Sequence, residues 1–306
     1  MTTLVFGHKS PDTDSTGSPI AWAWYLNEVA GVAAVPALLG EPNTEALWML
    51  QKWDLPKPQI IADVDAGQPC VIVDTNNPAE LPAGINAADV RAIIDHHKLV
   101  GGLETAGPID ITIRPLACTA TIMADLMGQS LSSAPAAIKG AMLTCILSDT
   151  LEFRSPTTTD HDRALAERLA GELGIDIASY AAEMFAAKSD VSAFSEAELL
   201  RMDSKEYAVE GTKFRVSVLE TTSPEAVLSR KDALMAAMPG VATQDGVEQV
   251  LLFVVDILAE EATLLVPNDL TKTVAEKSFG VSVSGDTVVL PGVMSRKKQI
   301  IPALKL

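Results

Sequence analysis

Histidine and aspartate gather in two short fragments of this chain, Gly7-His8-Lys9-Ser10-Pro11-Asp12-Thr13-Asp14-Ser15 and Asp95-His96-His97. Imidazole nitrogens and carboxylate oxygens are donors for divalent cations. Each fragment follows an apolar, β-like run, Leu4-Val5-Phe6 or Val90-Arg91-Ala92-Ile93-Ile94. Both donor sets are therefore expected at strand ends, where an open α/β sheet binds its ligands. Pro11-Asp12-Thr13-Asp14 alone also suits an ordinary turn, but His8 directly after a strand shifts the balance towards a metal. Three of the chain's four histidines lie in these fragments. Consecutive His96 and His97 point in different directions, so one can ligate an ion while the other meets substrate.

Asp74 closes the apolar run Cys70-Val71-Ile72-Val73, and Asp149 ends the helical stretch from Ala141 to Ser148. Taken singly, the first suits a turn and the second a helix-end cap. A helix C-terminus also carries partial negative charge that favours a nearby cation. Together Asp12, Asp14, Asp74 and Asp149 would bring four negative charges to one place. At about 4 Å and an effective dielectric near 20, each like-charge pair costs roughly 4 kcal/mol before screening. Two divalent ions would neutralise the set and one would not, so a two-metal site is expected, with Asp74 suited to bridging. Its imidazoles favour manganese or cobalt over magnesium, which prefers oxygen ligands and retained water. Lys205 and the run Ser295-Arg296-Lys297-Lys298-Gln299 are cations against an acidic background. They read either as solvated surface or as a grip on a small phosphate compound.

The elements that must position these residues follow from periodicity. Strands are predicted at Leu4–Gly7, Val35–Leu38, Cys70–Asp74 and Val90–Asp95, alternating with helices at Pro19–Val29 and Asn43–Lys52, which implies a mainly parallel sheet. Ser18-Pro19 reads as N-cap and first helical position, leaving Asp12 and Asp14 in a loop. Helices are predicted at Thr119–Met127, Ala134–Leu147, Asp160–Gly174 and Asp176–Ala187. His161 is placed in the first turn of a helix capped by Asp160, and Asp63-Val64-Asp65 in a loop. Beyond a break, residues 195–203 and 224–237 read as helices, and 214–219, 249–256, 263–266 and 287–290 as strands. The organisation expected is α/β: an N-terminal, mainly parallel sheet flanked by helices over residues 1–187, a linker at 188–194, and a smaller α+β domain over 195–306.

At 306 residues with 48% hydrophobic content, the chain can bury a large core. Its net charge of −17 argues against nucleic acid or an anionic membrane as partner. Cys70, Cys118 and Cys145 show no close Cys-x-x-Cys spacing and read as reduced core residues. No signal-like N-terminus or long apolar run is visible, so a cytoplasmic protein is expected. Dinucleotide, P-loop and serine-hydrolase motifs do not occur.

The order of His8 to Ser15, Asp74-Thr75-Asn76, Asp95-His96-His97-Lys98, Ser148-Asp149-Thr150 and Ser295 to Gln299 resembles the manganese-dependent (family II) inorganic pyrophosphatases of the DHH phosphoesterase superfamily, over nearly the whole chain. The fragments from Pro108 to Thr121 and from Phe153 to Thr159 are similar to that family rather than to the superfamily at large. The resemblance implies a DHH domain and a DHHA2-like domain with the active site between them. It implies that His8 and Asp12 bind one manganese ion, that Asp14, His96 and Asp149 bind a second, and that Asp74 bridges them. His97 would face phosphate, and Lys205, Arg296 and Lys297 would grip it. Pyrophosphate would be hydrolysed to two phosphates by a hydroxide held between the metals, with Mg²⁺ arriving alongside substrate and Co²⁺ able to replace manganese. A homodimer formed through the N-terminal domain is implied as well. An extra residue within Leu99–Leu103, and Ser204 in place of the commoner aromatic before Lys205, are small departures. Superfamily relatives that cleave short oligonucleotides, a nucleotide bisphosphate or polyphosphate usually carry a Gly-Gly-Gly-His segment, which is absent here. A non-catalytic phosphate sensor would show an incomplete ligand set.

Overall fold

The computed structural model spans residues 1–306 and describes all of them except Asp203 and the side chains of Lys297 and Lys298. The chain divides into two units, Met1–Ala187 and Lys188–Leu306. In the first unit the order is β1 (Thr3–Phe6), α1 (Thr13–Glu28), β2 (Ala34–Leu38), α2 (Thr44–Lys52), β3 (Gln59–Ile60), β4 (Pro69–Val73), β5 (Asp89–Asp95), β6 (Asp110–Ile113), α3 (Thr119–Met127), α4 (Ala136–Asp149), α5 (Asp160–Leu173) and α6 (Ile177–Lys188). Its strands pair in the order β3-β2-β1-β4-β5-β6, every pairing parallel. Crossover helices cover such a sheet on its faces, so its central strand must be apolar on both sides, and every residue of β4 is buried. Chain order reverses between β1 and β4, which opens a crevice beyond their C-terminal ends. His8 and Asp74 stand at those ends.

Helix α1 departs from the sequence expectation in a way that matters for function. It begins at Thr13 rather than Pro19, with Asp12 as N-cap accepting from Ser15 N at 2.9 Å, and Pro19 lies inside it. Pro normally favours a helix start, but every residue from Thr13 to Ala23 is buried. That burial outweighs the amide hydrogen bond that Pro19 cannot donate. Asp12 and Asp14 therefore occupy a helix cap and first turn, not a loop. Helix α4 also runs two residues further than expected and ends on Asp149. The cap of α5 is Thr159, in a capping box with Asp162, and not Asp160. Strand β6 lies where the sequence predicts no element, and its four residues are all partly or fully exposed. Asp63-Val64-Asp65 does lie in a loop.

The second unit contains α7 (Glu196–Leu199), β7 (Ser204–Val209), β8 (Thr212–Thr221), α8 (Pro224–Leu228), α9 (Lys231–Asp245), β9 (Gln249–Asp256), β10 (Glu261–Leu265), α10 (Asp269–Phe279) and β11 (Thr287–Pro291), closed by a short helical turn at Arg296–Ile300. Its sheet, β11-β10-β9-β8-β7, is parallel only between β8 and β9. Residues of β9 alternate between two cores. Val250, Leu252 and Val254 pack with Leu234 and Met238 of α9, while Leu251, Phe253 and Val255 pack with Val274 and Ala275 of α10. The helix expected over 224–237 is two helices, α8 and α9, and the one expected over 195–203 is the single turn α7. Strand β7 and helix α10 lie where the sequence predicts no element. Asp203, within that predicted helix, lies outside the described residues. No helix among the described residues is long and apolar enough to cross a membrane.

Candidate metal centre

Four stretches of the first unit, carrying His8 to Asp14, Asp74, His96 with His97, and Asp149, converge at the C-terminal edge of its sheet. His8 follows β1, and its Nε2 lies 3.6 Å from Asp12 Oδ2 and 3.5 Å from Asp74 Oδ2. The capping bond uses Asp12 Oδ1, which leaves Oδ2 turned towards His8. Asp14 is buried, with Oδ1 accepting from Ser18 Oγ at 2.5 Å and Oδ2 from Thr119 N at 2.8 Å. Asp74 sits between the groups: its Oδ1 is 3.3 Å from His96 Nε2 and accepts from Thr119 Oγ1 at 3.3 Å. Asp149 approaches from the end of α4.

Three sets of donor atoms lie within 4.8 Å of one another: His8, Asp12 and Asp74; Asp14, His96 and Asp149; and Asp74, His96 and His97. At metal–ligand bonds of about 2.0–2.2 Å, neighbouring donors round one ion stand about 3 Å apart, so modest contraction would close the first two sets. Asp74 Oδ2 and Asp149 Oδ2 are shielded from solvent and have no hydrogen-bond partner. A native fold rarely leaves such atoms unsatisfied, and a cation at each set would satisfy both. Burial, then the negative charges of Asp14 and Asp12, push the Asp74 carboxyl well above the usual carboxylate range. The same causes, with Asp74 added, raise Asp149. Burial opposes a charged His8, yet Asp12 and Asp74 outweigh it and raise the imidazole. Mixed imidazole and carboxylate donors, crowded with negative charge, fit divalent transition-metal cations such as manganese.

Several positioning groups were not legible in the sequence. His96 Nδ1 lies 3.3 Å from the Leu116 carbonyl, which turns Nε2 towards Asp74. Asp95, fully buried at the end of β5, accepts from His97 N at 3.0 Å and pairs with His97 Nδ1 at 2.9 Å. Its other oxygen accepts from Asn76 Nδ2 at 2.5 Å. Although burial works against it, these bonds from His97 and Asn76 hold Asp95 below the usual carboxylate range, and the Asp95 bond raises His97. Thr119, reaching both Asp14 and Asp74, had no signal beyond its place at a helix start. Beside the ligands, a cavity of about 540 Å³ is lined by His8, Lys9, Ser10, Asn76, His97 and Lys98, among others.

Lys205 and Arg296 belong to the second unit. Lys205 is exposed on β7, and Arg296 begins the turn after β11, so the strand order puts their strands at opposite edges of that sheet. Gln299 fastens the loop ahead of Arg296, its Oε1 accepting from Met294 N and Ser295 N at 2.9 Å each. The Lys297 side chain lies outside the described residues. Ser204, the departure beside Lys205, donates to Arg201 O at 2.9 Å and accepts from Arg215 Nη1 at 2.8 Å.

The chain thus carries a parallel sheet ending in a carboxylate and imidazole cluster that could hold metal ions, followed by a second α+β unit. Family models agree: the DHH family, N-terminal domain, matches residues 2–150, and the DHHA2 domain matches residues 182–306. A probable manganese-dependent inorganic pyrophosphatase of Deinococcus radiodurans is 39% identical, covering 98% of this chain and 97% of the relative. One from Lactobacillus helveticus is 35% identical with the same coverage. Among solved structures, a putative family II inorganic pyrophosphatase of Methanococcus jannaschii aligns with a TM-score of 0.65 at 32% identity, covering 99% of this chain and 98% of that one. An exopolyphosphatase-related protein from Bacteroides fragilis, at 14% identity and a TM-score of 0.50, shares the fold alone. The chain belongs to the manganese-dependent, family II inorganic pyrophosphatases.

Proposed function

We propose that this protein hydrolyses inorganic pyrophosphate to two phosphates at a pair of manganese ions. The observation that carries the reading is the gathering of two donor sets, His8, Asp12 and Asp74 beside Asp14, His96 and Asp149, in each of which one buried oxygen, Asp74 Oδ2 or Asp149 Oδ2, has no hydrogen-bond partner. His8, Asp12 and Asp74 would hold one ion, and Asp14, His96 and Asp149 the other, with Asp74 shared. When bound, such a pair supplies Lewis acidity to the phosphoryl oxygens and lowers the pKa of water enough to provide a nucleophile near neutrality.

The chain's own residues do the rest. Asp95 occupies His97 Nδ1 and favours the imidazolium, so Nε2–H is left to donate to a phosphate oxygen. Lys205, Arg296 and Lys297 supply further donors to the phosphates, with the Arg296 guanidinium suited to a bidentate grip. Charge on the substrate would be offset further by a magnesium ion arriving with it. Cobalt, with similar ligand preferences, would replace manganese at the resident positions. The family resemblance extends the proposal to a cytoplasmic homodimer, whose subunit number light scattering would measure.

Chelating the protein and then returning Mn²⁺ tests the reading. Pyrophosphate turnover should vanish and return, and should exceed turnover of a dinucleotide or a long polyphosphate. Full activity in metal-free protein, or a preference for the dinucleotide, would contradict it.

A further inference from the structure

Glu45 lies in the first turn of α2 and is completely shielded from solvent. Capping α2 does not require it, because Asn43 already accepts from Ala46 N at 2.8 Å. Its Oε1 instead receives hydroxyls from two other helices: Thr13 Oγ1 at 2.5 Å, and Ser148 Oγ. Thr13 stands between Asp12 and Asp14 at the start of α1, and Ser148 immediately precedes Asp149 at the end of α4. One carboxylate oxygen thus ties together two helix ends that each deliver an acidic side chain to the same donor set. Supporting ties run alongside: Asn43 N donates to Pro11 O at 3.1 Å, and Cys145 Sγ to Thr13 O at 3.3 Å.

We infer that Glu45 is a positioning residue for the metal pair, fixing the separation of Asp14 and Asp149 through the hydroxyls of Thr13 and Ser148. This inference rests on the metal reading above. Its effect should be selective. The set of His8, Asp12 and Asp74 depends on this tie less, since His8 and Asp74 follow strands and only Asp12, the α1 cap, rides on one of the two helices. The set of Asp14, His96 and Asp149 depends on how α1 and α4 are joined. Groups that orient metal ligands typically change metal affinity by about 10–100-fold when removed.

The test titrates full-length, chelated protein with Mn²⁺ alone, using calorimetry for affinity and electron paramagnetic resonance for bound ions. Glu45→Met keeps the shape and removes the acceptor. It should leave one ion bound as in the wild type and weaken the other by about 10–100-fold. Glu45→Gln, whose amide oxygen can accept the same two hydroxyls, should restore binding close to wild type. Ser148→Ala cuts one of the two ties, should weaken the same ion to a smaller degree, and serves as the test if Glu45→Met does not fold. Folded Glu45→Met and Ser148→Ala proteins that bind both ions as the wild type does would overturn the inference. So would equal weakening of both ions, or a Glu45→Gln protein as impaired as Glu45→Met. A wild-type protein that binds no manganese would overturn the metal reading itself, and the inference with it.

Discussion

Asp74 holds its backbone in the left-handed region, at φ 59°. For a residue with a Cβ, that conformation costs of order 1–2 kcal/mol. The parallel pairing of β4 with β5 holds it there, continued by Asp74 N donating to Ile94 O at 2.9 Å. The result is a carboxylate aimed from a rigid strand end at both donor sets. His8, Asp12, Asp14, Asp74, His96, His97 and Asp149 could be singled out in the sequence because each is a rare or charged residue at the end of an apolar run. The groups that orient them could not: a backbone carbonyl at Leu116 and a hydroxyl at Thr119 have no residue-type signature, and Asp95 reads as part of the motif without showing which histidine it serves. Asp95→Ala, which removes the acceptor, tests that assignment. It should lower kcat for pyrophosphate by about 10–100-fold while Mn²⁺ affinity stays close to wild type, because the lost bond orients His97. Unchanged kcat would remove His97 orientation from the account.

Helices bring their own constraints, and Gly140 of α4 shows one. A Cβ there would lie 2.0 Å from the Trp53 ring, just beyond α2. Trp53 Nε1 donates to Tyr180 OH at 2.7 Å, and that hydroxyl pairs with Thr144 Oγ1 at 2.6 Å, which links the end of α2, α4 and α6. Gly140→Ala should therefore destabilise the protein by about 1–3 kcal/mol, seen as a lower urea midpoint in the presence of chelator; an unchanged midpoint would mean that the indole moves aside without cost. Helix α3 and strand β9 were legible to the residue, because a clear apolar pattern met a clear stop. The start of α1 was not, because Ser18-Pro19 is a strong local signal that burial of the whole first half of the helix overrides. Strand β6 is short and largely exposed, so it left no pattern to read.

On the scale of the whole molecule, alternating strands and helices in the first half made the parallel sheet readable, and the placement of His8 and Asp74 at its reversal point follows from strand order. Burial and crowding of carboxylates have a thermodynamic consequence at the centre. Asp74 and Asp149 bind protons more tightly in the folded chain than in the unfolded one. Without metal, the stability linked to them is fully present below the unfolded carboxyl value of about 3.9 and is lost as pH rises through their raised folded values. Divalent ions take the place of those protons, so Mn²⁺ should raise the melting temperature more at about pH 8 than at about pH 5.5. An ion held at a hundred times its Kd adds about 2.7 kcal/mol. A pH-independent increment would contradict this charge balance. The most direct measurement is anomalous diffraction at the manganese edge from crystals grown with Mn²⁺. The account predicts two peaks about 3.5–4 Å apart, one bonded to His8, Asp12 and Asp74 and the other to Asp14, Asp74, His96 and Asp149. A single peak, or peaks away from Asp74, would contradict it.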